Sequence, residues 1–184
     1  MKKILITGFL PYAGLATNPS EELLKAIKAK GTATLLLPVS YGEAKKQLEA
    51  AIEKEKPDFI LSFGLSPYRK EPTLEEFAYN EMKSIQPDET GVRQDGKEII
   101  PDGEKSRQAS LDVSHLCQVL MGESIDVSMS IDPGRFVCNM VYYLDLASGI
   151  PALFVHLPLL ADLPLKDDVA AAEAIIAYIN SSNK

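Results

Sequence analysis

The chain has 184 residues, and a hydrophobic content of 46% is ample for one buried core, so a single domain over residues 1–184 is predicted. A net charge of -7 and a pI near 4.9 oppose binding to nucleic-acid phosphates or anionic membranes, and they favour a small or neutral substrate. The apolar runs are far shorter than the roughly 20 residues that cross a bilayer, and MKKILITGFLP reaches Gly and Pro too early for a secretory signal, so we expect a cytoplasmic protein.

Short apolar runs alternate with helical patterns along the chain. Buried strands are predicted at residues 3–7, 32–37, 58–63, 125–130 and 152–155. Strands that alternate with helices predict an α/β fold, here a single three-layer α/β/α domain with a mostly parallel central sheet. In such folds, sites form beyond the carboxyl ends of strands.

Helix start signals lie between the predicted strands. Asn18 and Pro19 occupy the N-cap and first positions of one predicted helix, and Ser40 with Glu43 forms a capping box for another. A last helix is predicted near residues 166–180, where an apolar stripe would pack on the sheet.

Residues 86–106 are rich in charge, Gly and Pro, which predicts a long loop or hairpin. Such a segment either covers a site or is simply solvated. The sequence leaves both roles open.

Several common kinds of site lack support. The segment from Gly8 to Gly14 follows a predicted strand, but it lacks the Gly-Lys-Ser/Thr ending of a phosphate-binding P-loop. No G-x-S-x-G element of an α/β serine hydrolase occurs. With only two histidines and no H-E-x-x-H, nothing in the spacing favours a metal site.

Thiol chemistry remains. The two cysteines, Cys117 and Cys138, are too few for a disulfide scaffold and lack the paired spacing of zinc sites. His115 and Cys117 are two residues apart on a predicted helix, where side chains at i and i+2 do not face each other. We therefore interpret Cys117 as a core thiol and His115 as an ordinary surface or partly buried histidine.

Cys138 lies where a predicted strand leads through Asp-Pro-Gly into a helical apolar pattern. Near a helix start, unpaired backbone N–H groups and the positive end of the helix dipole would lower the pKa of the thiol and favour thiolate. The same N–H groups could stabilise an oxyanion. A cysteine in an apolar helix also commonly serves packing alone, so this segment leaves both roles open.

Two further side chains are candidates for the same chemistry. His156 closes the predicted strand ALFVH, at the end where sites form in this architecture, although loop backbone could also satisfy such a histidine. In PTLEEFAYN, strand alternation puts Thr73, Glu75 and Phe77 on one face and Glu76 on the other. An inward carboxylate at Glu75 needs a partner, and an imidazole is a suitable one.

Together these segments resemble the active-site motifs of pyroglutamyl peptidase I, also called pyrrolidone-carboxylate peptidase. The opening TGFLPYAGLATNP resembles the family's T-G-F-x-P-F-G-G and N-P elements, and KPDFILSFGLSP is similar to its third strand and following loop. TLEEFAYN, PGRFVCN and FVHLP resemble its [ST]-x-E-[KR]-[IV]-A-x-N, A-G-x-[FY]-x-C-N and [IV]-H-[VI]-P motifs. Their order and spacing extend the resemblance over most of the chain.

The resemblance implies a thiol protease, specifically an omega peptidase that removes N-terminal pyroglutamate from peptides without a metal or cofactor. Its catalytic residues would be Cys138 as nucleophile, His156 as acid/base and Glu75 as the orienting carboxylate. The residues that would bind the pyroglutamyl ring or support its pocket are Phe9, Tyr12, Asn18, Leu65, Phe136 and Val137.

The chain also departs from the family pattern. Glu76 stands where Lys or Arg is usual, Pro72 replaces an aliphatic residue, and Ala13 replaces a Gly. Ile85 stands where many members have an arginine thought to lie near the thiol. The chain is shorter than most members after Cys138, which predicts that contacts of the family's tetramer are missing. The sequence leaves open whether the chain forms a homo-oligomer.

Two alternatives stay open. Ile85 and Glu76 keep open a catalytically impaired member that binds N-terminally blocked peptides. The other is a nucleoside-processing α/β protein, since one fold hosts many functions, and such a protein would not need Cys138.

Overall fold

The computed structural model describes residues 1–181, within which the chain forms ten strands and five helices. The strands are β1 (Ile4–Phe9), β2 (Thr32–Leu37), β3 (Phe59–Leu65), β4 (Thr73–Glu75), β5 (Phe77–Tyr79), β6 (Met82–Lys83), β7 (Asp95–Lys97), β8 (Ser106–Gln108), β9 (Ser128–Ser130) and β10 (Ala152–Leu157). The helices are α1 (Pro19–Ala26), α2 (Tyr41–Glu55), α3 (Val113–Gly122), α4 (Val137–Ala147) and α5 (Leu165–Ser181). Residues 182–184 of the predicted domain lie outside the described residues.

The central sheet has six strands in the order β2-β1-β3-β10-β4-β9. The pairings are parallel except that between β10 and β4, so β4 and β9 run opposite to the other four strands. The predicted mostly parallel sheet is confirmed. The strand predicted at 125–130 is shorter than expected, because pairing with β4 begins only at Ser128.

Helices cover both faces of this sheet, which confirms the predicted three-layer α/β/α fold. On one face, α1, α3 and α5 pack against Leu61, Leu153 and Val155. On the other face, α2 and α4 pack against Ile60 and Phe154. Successive side chains of β10 point to opposite faces of the sheet, because a strand has a period of two residues. Leu153 and Val155 therefore pack against one helical layer, and Phe154 packs against the other. None of the helices in residues 1–181 is long and apolar enough to cross a membrane.

The predicted helix starts are also confirmed. The Asn18 side chain accepts a hydrogen bond from the Ser20 backbone N–H, and Pro19 occupies the first helical position of α1. The Ser40 hydroxyl accepts a long hydrogen bond of 3.5 Å from the Glu43 backbone N–H at the start of α2.

Residues 86–106 form neither a bare loop nor a self-contained hairpin. They supply β7, which pairs with β6, and they lead into β8, which pairs with β5. The Asp88 carboxylate accepts hydrogen bonds from the backbone N–H groups of Tyr41, Thr90 and Val92. The segment is therefore tied to the start of α2, because buried backbone donors require such partners.

A buried polar chain links the sheet to α4. The Thr7 hydroxyl donates to the Ser62 hydroxyl at 2.8 Å, and the Ser62 hydroxyl donates to Asp145 Oδ2 at 2.7 Å. Asp145 Oδ1 has no hydrogen-bond partner within the part of the chain that the structure describes. Burial raises the pKa of the Asp145 carboxyl to about 8, since an ionised group would be desolvated there, so the group is largely protonated at neutral pH.

This carboxyl should make stability depend on pH. An Asp in an unfolded chain titrates near pH 3.9, whereas folded Asp145 titrates at about 8, so the folded state binds the extra proton between these values. Its contribution is fully present below about pH 4 and is lost as the pH rises towards 8. We expect Asp145→Asn to gain stability relative to wild type across this interval, as measured by urea unfolding at pH 4.5–8.5. Other titrating groups cancel in the difference, and a difference that does not vary with pH would contradict the prediction.

Candidate active site

The register of three strands brings Glu75 and His156 onto one face of the sheet. His156 pairs with Gly64 of β3 and with Thr73 of β4, while Glu75 pairs with Phe154. Paired residues in neighbouring strands point to the same face, and this is the face that α4 covers. The predicted shared face of Thr73 and Glu75 is confirmed.

The prediction also placed Phe77 on this face, and that part of the prediction is wrong. The chain leaves the central sheet after Glu75, and Phe77 begins β5 in a separate two-stranded sheet. The Glu76 backbone N–H still donates to the Ser130 carbonyl, and its carboxylate accepts a hydrogen bond from the Gln108 amide. Glu76 therefore lies outside the Glu75–His156 contact.

The central contact of the site joins His156 Nδ1 to Glu75 Oε1 at 2.8 Å. The Glu75 side chain is fully buried, with 0% exposure, and the Tyr142 hydroxyl donates to its backbone carbonyl at 2.9 Å. When Glu75 is ionised, its oxygen can only accept, so the hydrogen bond requires Nδ1 as the donor. In the neutral imidazole, Nε2 is then the basic nitrogen.

Cys138 lies in the first turn of α4, as predicted. Phe136 is the N-cap residue and makes no side-chain cap hydrogen bond. A methyl group added at Gly64 would lie 2.8 Å from Cys138 Sγ, so the sulfur rests directly over β3 at the residue that pairs with His156. The fold thus brings the three predicted catalytic side chains to one place.

The expected low pKa of the Cys138 thiol is wrong. Burial raises the pKa of Cys138 to about 12, the negative charge of Glu75 acts in the same direction, and the residue's own backbone N–H opposes them only in part. The residue as a whole is partly exposed, and its sulfur lies against Gly64 of β3. The thiol is therefore protonated at rest, and it needs a nearby proton acceptor before it can react as a nucleophile.

Aromatic side chains form a wall next to the thiol. The ring centroids of Tyr12 and Phe136 lie 5.8 Å apart, and Tyr41 meets Phe136 edge to face at 5.7 Å. Phe9, at the end of β1, is only 2% exposed and belongs to the same apolar cluster as Val137. The Tyr12 hydroxyl donates to the Pro87 carbonyl, which joins the 86–106 segment to this wall.

The other two predicted pocket residues, Asn18 and Leu65, lie in or beside the backbone segments that follow β1 and end β3. Asn18 accepts from the Ser20 hydroxyl at 2.8 Å, and that hydroxyl accepts from the Phe9 backbone N–H at 2.9 Å. The Asn18 amide also donates to the Leu10 carbonyl. Asn18 therefore shapes the loop after β1, while Leu65 ends β3 one residue beyond Gly64.

Sequence reasoning missed three residues. Tyr41 follows a strand at the edge where sites form, which was an available signal. Asn139 directly follows Cys138 and is fully buried, and its amide exchanges hydrogen bonds with the backbone of Tyr79. Arg69 donates to Glu75 Oε1 at 3.2 Å from the loop after β3, where no spacing indicated the contact.

Two departures from the family pattern have visible outcomes. The Ile85 side chain is 89% exposed. Ala13 has φ 56°, in the left-handed region that favours glycine, so the alanine is strained there.

No group of three or more His, Cys, Asp or Glu side chains within residues 1–181 is arranged to hold a metal ion.

Sequence comparisons agree with this geometry. A model of the pyroglutamyl peptidase family matches residues 2–175. The pyrrolidone-carboxylate peptidase of Pyrococcus furiosus is 32% identical over 167 residues, which cover 85% of this chain and 80% of that protein. The pyrrolidone-carboxylate peptidase of Levilactobacillus brevis is 31% identical, with 96% of this chain and 97% of that protein covered.

Solved structures match over nearly the whole chain. The pyrrolidone carboxyl peptidase of Fervidobacterium islandicum superposes with a TM-score of 0.89 at 29% identity, covering 96% of this chain and 97% of that one. The Thermus thermophilus pyrrolidone carboxyl peptidase gives a TM-score of 0.86 at 28% identity, covering 94% and 98%. Family model, relatives and fold agree, and the chain belongs to the pyroglutamyl peptidase family.

Proposed function

We propose that this chain is a cysteine peptidase that removes N-terminal pyroglutamate from peptides, with Cys138 as nucleophile, His156 as acid/base and Glu75 as the orienting carboxylate. The observation that carries the proposal is the 2.8 Å contact between His156 and Glu75 next to the Cys138 sulfur. The relatives named as pyrrolidone-carboxylate peptidases support the same reaction class.

The first step must remove the thiol proton, because the pKa of Cys138 is raised to about 12. His156 Nε2 takes this proton as the sulfur attacks the carbonyl carbon that joins pyroglutamate to the next residue. Glu75 holds the imidazole in place and stabilises the imidazolium that forms. Backbone N–H groups in the first turn of α4 bind the oxyanion.

The second step releases the two products in turn. The imidazolium of His156 gives its proton to the leaving amine as the C–N bond breaks, which leaves a thioester on Cys138. His156 then takes a proton from water as the water oxygen attacks the thioester carbon. Free pyroglutamate departs, and the thiolate recovers its proton from His156, so no cofactor is consumed.

Recognition must depend on the lactam ring, since a pyroglutamyl peptide has no free α-amine. Tyr12 and Phe136 supply apolar surface for the flat ring, and Phe9, which is only 2% exposed, supports them from the same apolar cluster. Backbone groups near Leu65 and Val137 would bond the lactam N–H and C=O. A charged N-terminal glutamate would be rejected, because the apolar pocket cannot solvate its charges.

The setting of the reaction stays a prediction from the sequence. The proposed nucleophile and the core thiol Cys117 are both free, which suits a reducing compartment such as the cytoplasm. The acidic chain would act on small peptides rather than on nucleic acid or membranes. A homo-oligomeric state is left to measurement.

The reaction can be tested with pyroglutamyl-aminomethylcoumarin under reducing conditions. We expect wild-type protein to release the fluorophore and Cys138→Ser to lose the activity, because a serine hydroxyl is a far weaker nucleophile in this setting. Prolyl and alanyl analogues serve as controls and should not turn over. Folded wild-type protein without turnover would refute the proposal, and binding of a blocked peptide or of a nucleoside would then distinguish the alternatives.

A second test addresses the position of the thiol. In Gly64→Ala, the new methyl group would lie 2.8 Å from both Cys138 Sγ and Phe154 Cζ, so one of them must move. Displacement of a nucleophile by about 1 Å can cost roughly 100-fold in rate, and we expect kcat/KM to fall by at least about that factor. Gly42→Ala is the matched control, because nothing lies within 4 Å of a methyl group there. Equal activity of the two variants, with thermal midpoints showing both folded, would contradict the close approach at Gly64.

A further inference from the structure

One oxygen of Glu75 accepts two hydrogen bonds. Its Oε1 lies 2.8 Å from His156 Nδ1 and 3.2 Å from Arg69 Nη2. The second oxygen, Oε2, is buried and has no hydrogen-bond partner in the described part of the chain. The charge of Glu75 is therefore shared at one atom between an imidazole, which can change its charge, and a guanidinium, which cannot.

Arg69 is held in place from more than one side. The pairing of β4 with β9 sets Ser130 beside Glu75, and the Ser130 hydroxyl accepts from Arg69 Nη2 at 2.7 Å. The backbone N–H of Arg69 donates to the Ser66 carbonyl, which forms a turn directly after β3. The guanidinium side chain is 31% exposed. These anchors aim the group at Glu75 and distinguish it from a freely moving surface arginine.

A fully buried carboxylate without a compensating charge would take up a proton. The groups that face Glu75 from α4 are the Cys138 thiol and the Tyr142 hydroxyl, and burial raises the pKa of both, so they are neutral. Within residues 1–181, Arg69 is the only permanently charged cation in a salt bridge with Glu75.

The charged groups beyond this contact do not replace Arg69. The Asp132 carboxylate, on the loop after β9, pairs with Arg135 at 2.6 Å, and the Glu76 carboxylate bonds the Gln108 amide. Asp145, further along α4, has a pKa of about 8 and is largely protonated at neutral pH. The charge balance at Glu75 therefore depends on Arg69.

We propose that Arg69 is a positioning residue for the Glu75–His156 pair: its guanidinium keeps Glu75 ionised and aimed at the imidazole, and its positive charge disfavours a second cation on His156, so the imidazole is neutral and ready to accept the thiol proton. The inference rests on the proposed function for its catalytic meaning. Loss of the guanidinium removes a positive charge from the pair, so the pair holds a proton up to a higher pH. A proton on His156 leaves the imidazole unable to accept the thiol proton. A proton on Glu75 removes the negative charge that stabilises the imidazolium.

The test compares Arg69→Met with Lys70→Met. Lys70 is the neighbouring residue in the same loop, but it pairs with Asp162 at 2.8 Å on the surface, so this control removes the same charge without touching Glu75. We expect the acid limb of the kcat/KM profile to move up by about one pH unit or more in Arg69→Met and to stay in place in Lys70→Met.

A third variant separates charge from geometry. Arg69→Lys should keep the acid limb near its wild-type position, because the ammonium keeps the positive charge, but it should lower kcat, because the shorter lysine side chain does not bring its nitrogen to the position from which Nη2 bonds Glu75 and Ser130. Loss of activity by the same factor at every pH in Arg69→Met, with an unmoved acid limb, would overturn the proposal.

If Arg69→Met does not fold, Ser130→Ala removes one anchor of the guanidinium and is expected to move the acid limb in the same direction by less. An unmoved limb in Ser130→Ala would then overturn it.

A second readout does not depend on turnover. The chain has two histidines, so an NMR titration of labelled histidine resolves His156, with exposed His115 on α3 as an internal reference. We expect the titration midpoint of His156 to rise in Arg69→Met while that of His115 stays unchanged. An unchanged midpoint for His156 would overturn the role of Arg69 even in an active enzyme. A raised midpoint in a protein without turnover would leave this role standing while the proposed function fails.

Discussion

Glu75 is a carboxylate with no exposed surface on an inner strand of the central sheet, and the arrangement around it follows from the need to balance that charge. Transfer of an ionised carboxylate out of water is costly unless partners compensate it. His156 and Arg69 reach the same oxygen, and the Tyr142 hydroxyl holds the backbone carbonyl. The site therefore depends on the short strand β4, which carries this carboxylate between β10 and β9.

The direction of β4 explains how one short segment contributes two site residues. Only residues 66–72 separate β3 from β4, which is too short for the helical crossover that a parallel strand requires. The chain instead returns antiparallel along β10, so that Glu75 lies beside Phe154 on the face of His156. Arg69 lies on the connecting turn, which places its guanidinium over the end of the strand.

The electrostatics of the thiol and of the carboxylate are coupled. A charge on Glu75 disfavours a second negative charge on Cys138, and burial adds to this effect, so the resting thiol keeps its proton. An ionised Glu75 in turn favours a proton on the imidazole. The two effects together favour transfer of one proton from sulfur to His156 during attack, rather than a thiolate that persists in the free protein.

Much of the fold and of the site could be predicted from local patterns. Apolar runs, the caps at Asn18 and Ser40, and the positions of Cys138 and His156 at element ends are properties of short segments, and a short segment carries its own hydrogen-bonding and burial preferences. The same holds for the division between a core Cys117 and an exposed His115, which follows from helical spacing.

The remaining features depend on residues that are distant in the chain. The raised pKa of Cys138 follows from how deeply its sulfur is buried over Gly64, which no local pattern records. The contact between Arg69 and Glu75 depends on a loop conformation and on strand register with Ser130. The sequence by itself determined which residue types are present and at which element ends they lie. Only the tertiary structure decided which charges meet and how far water is excluded, because both depend on through-space distances that strand order and packing set.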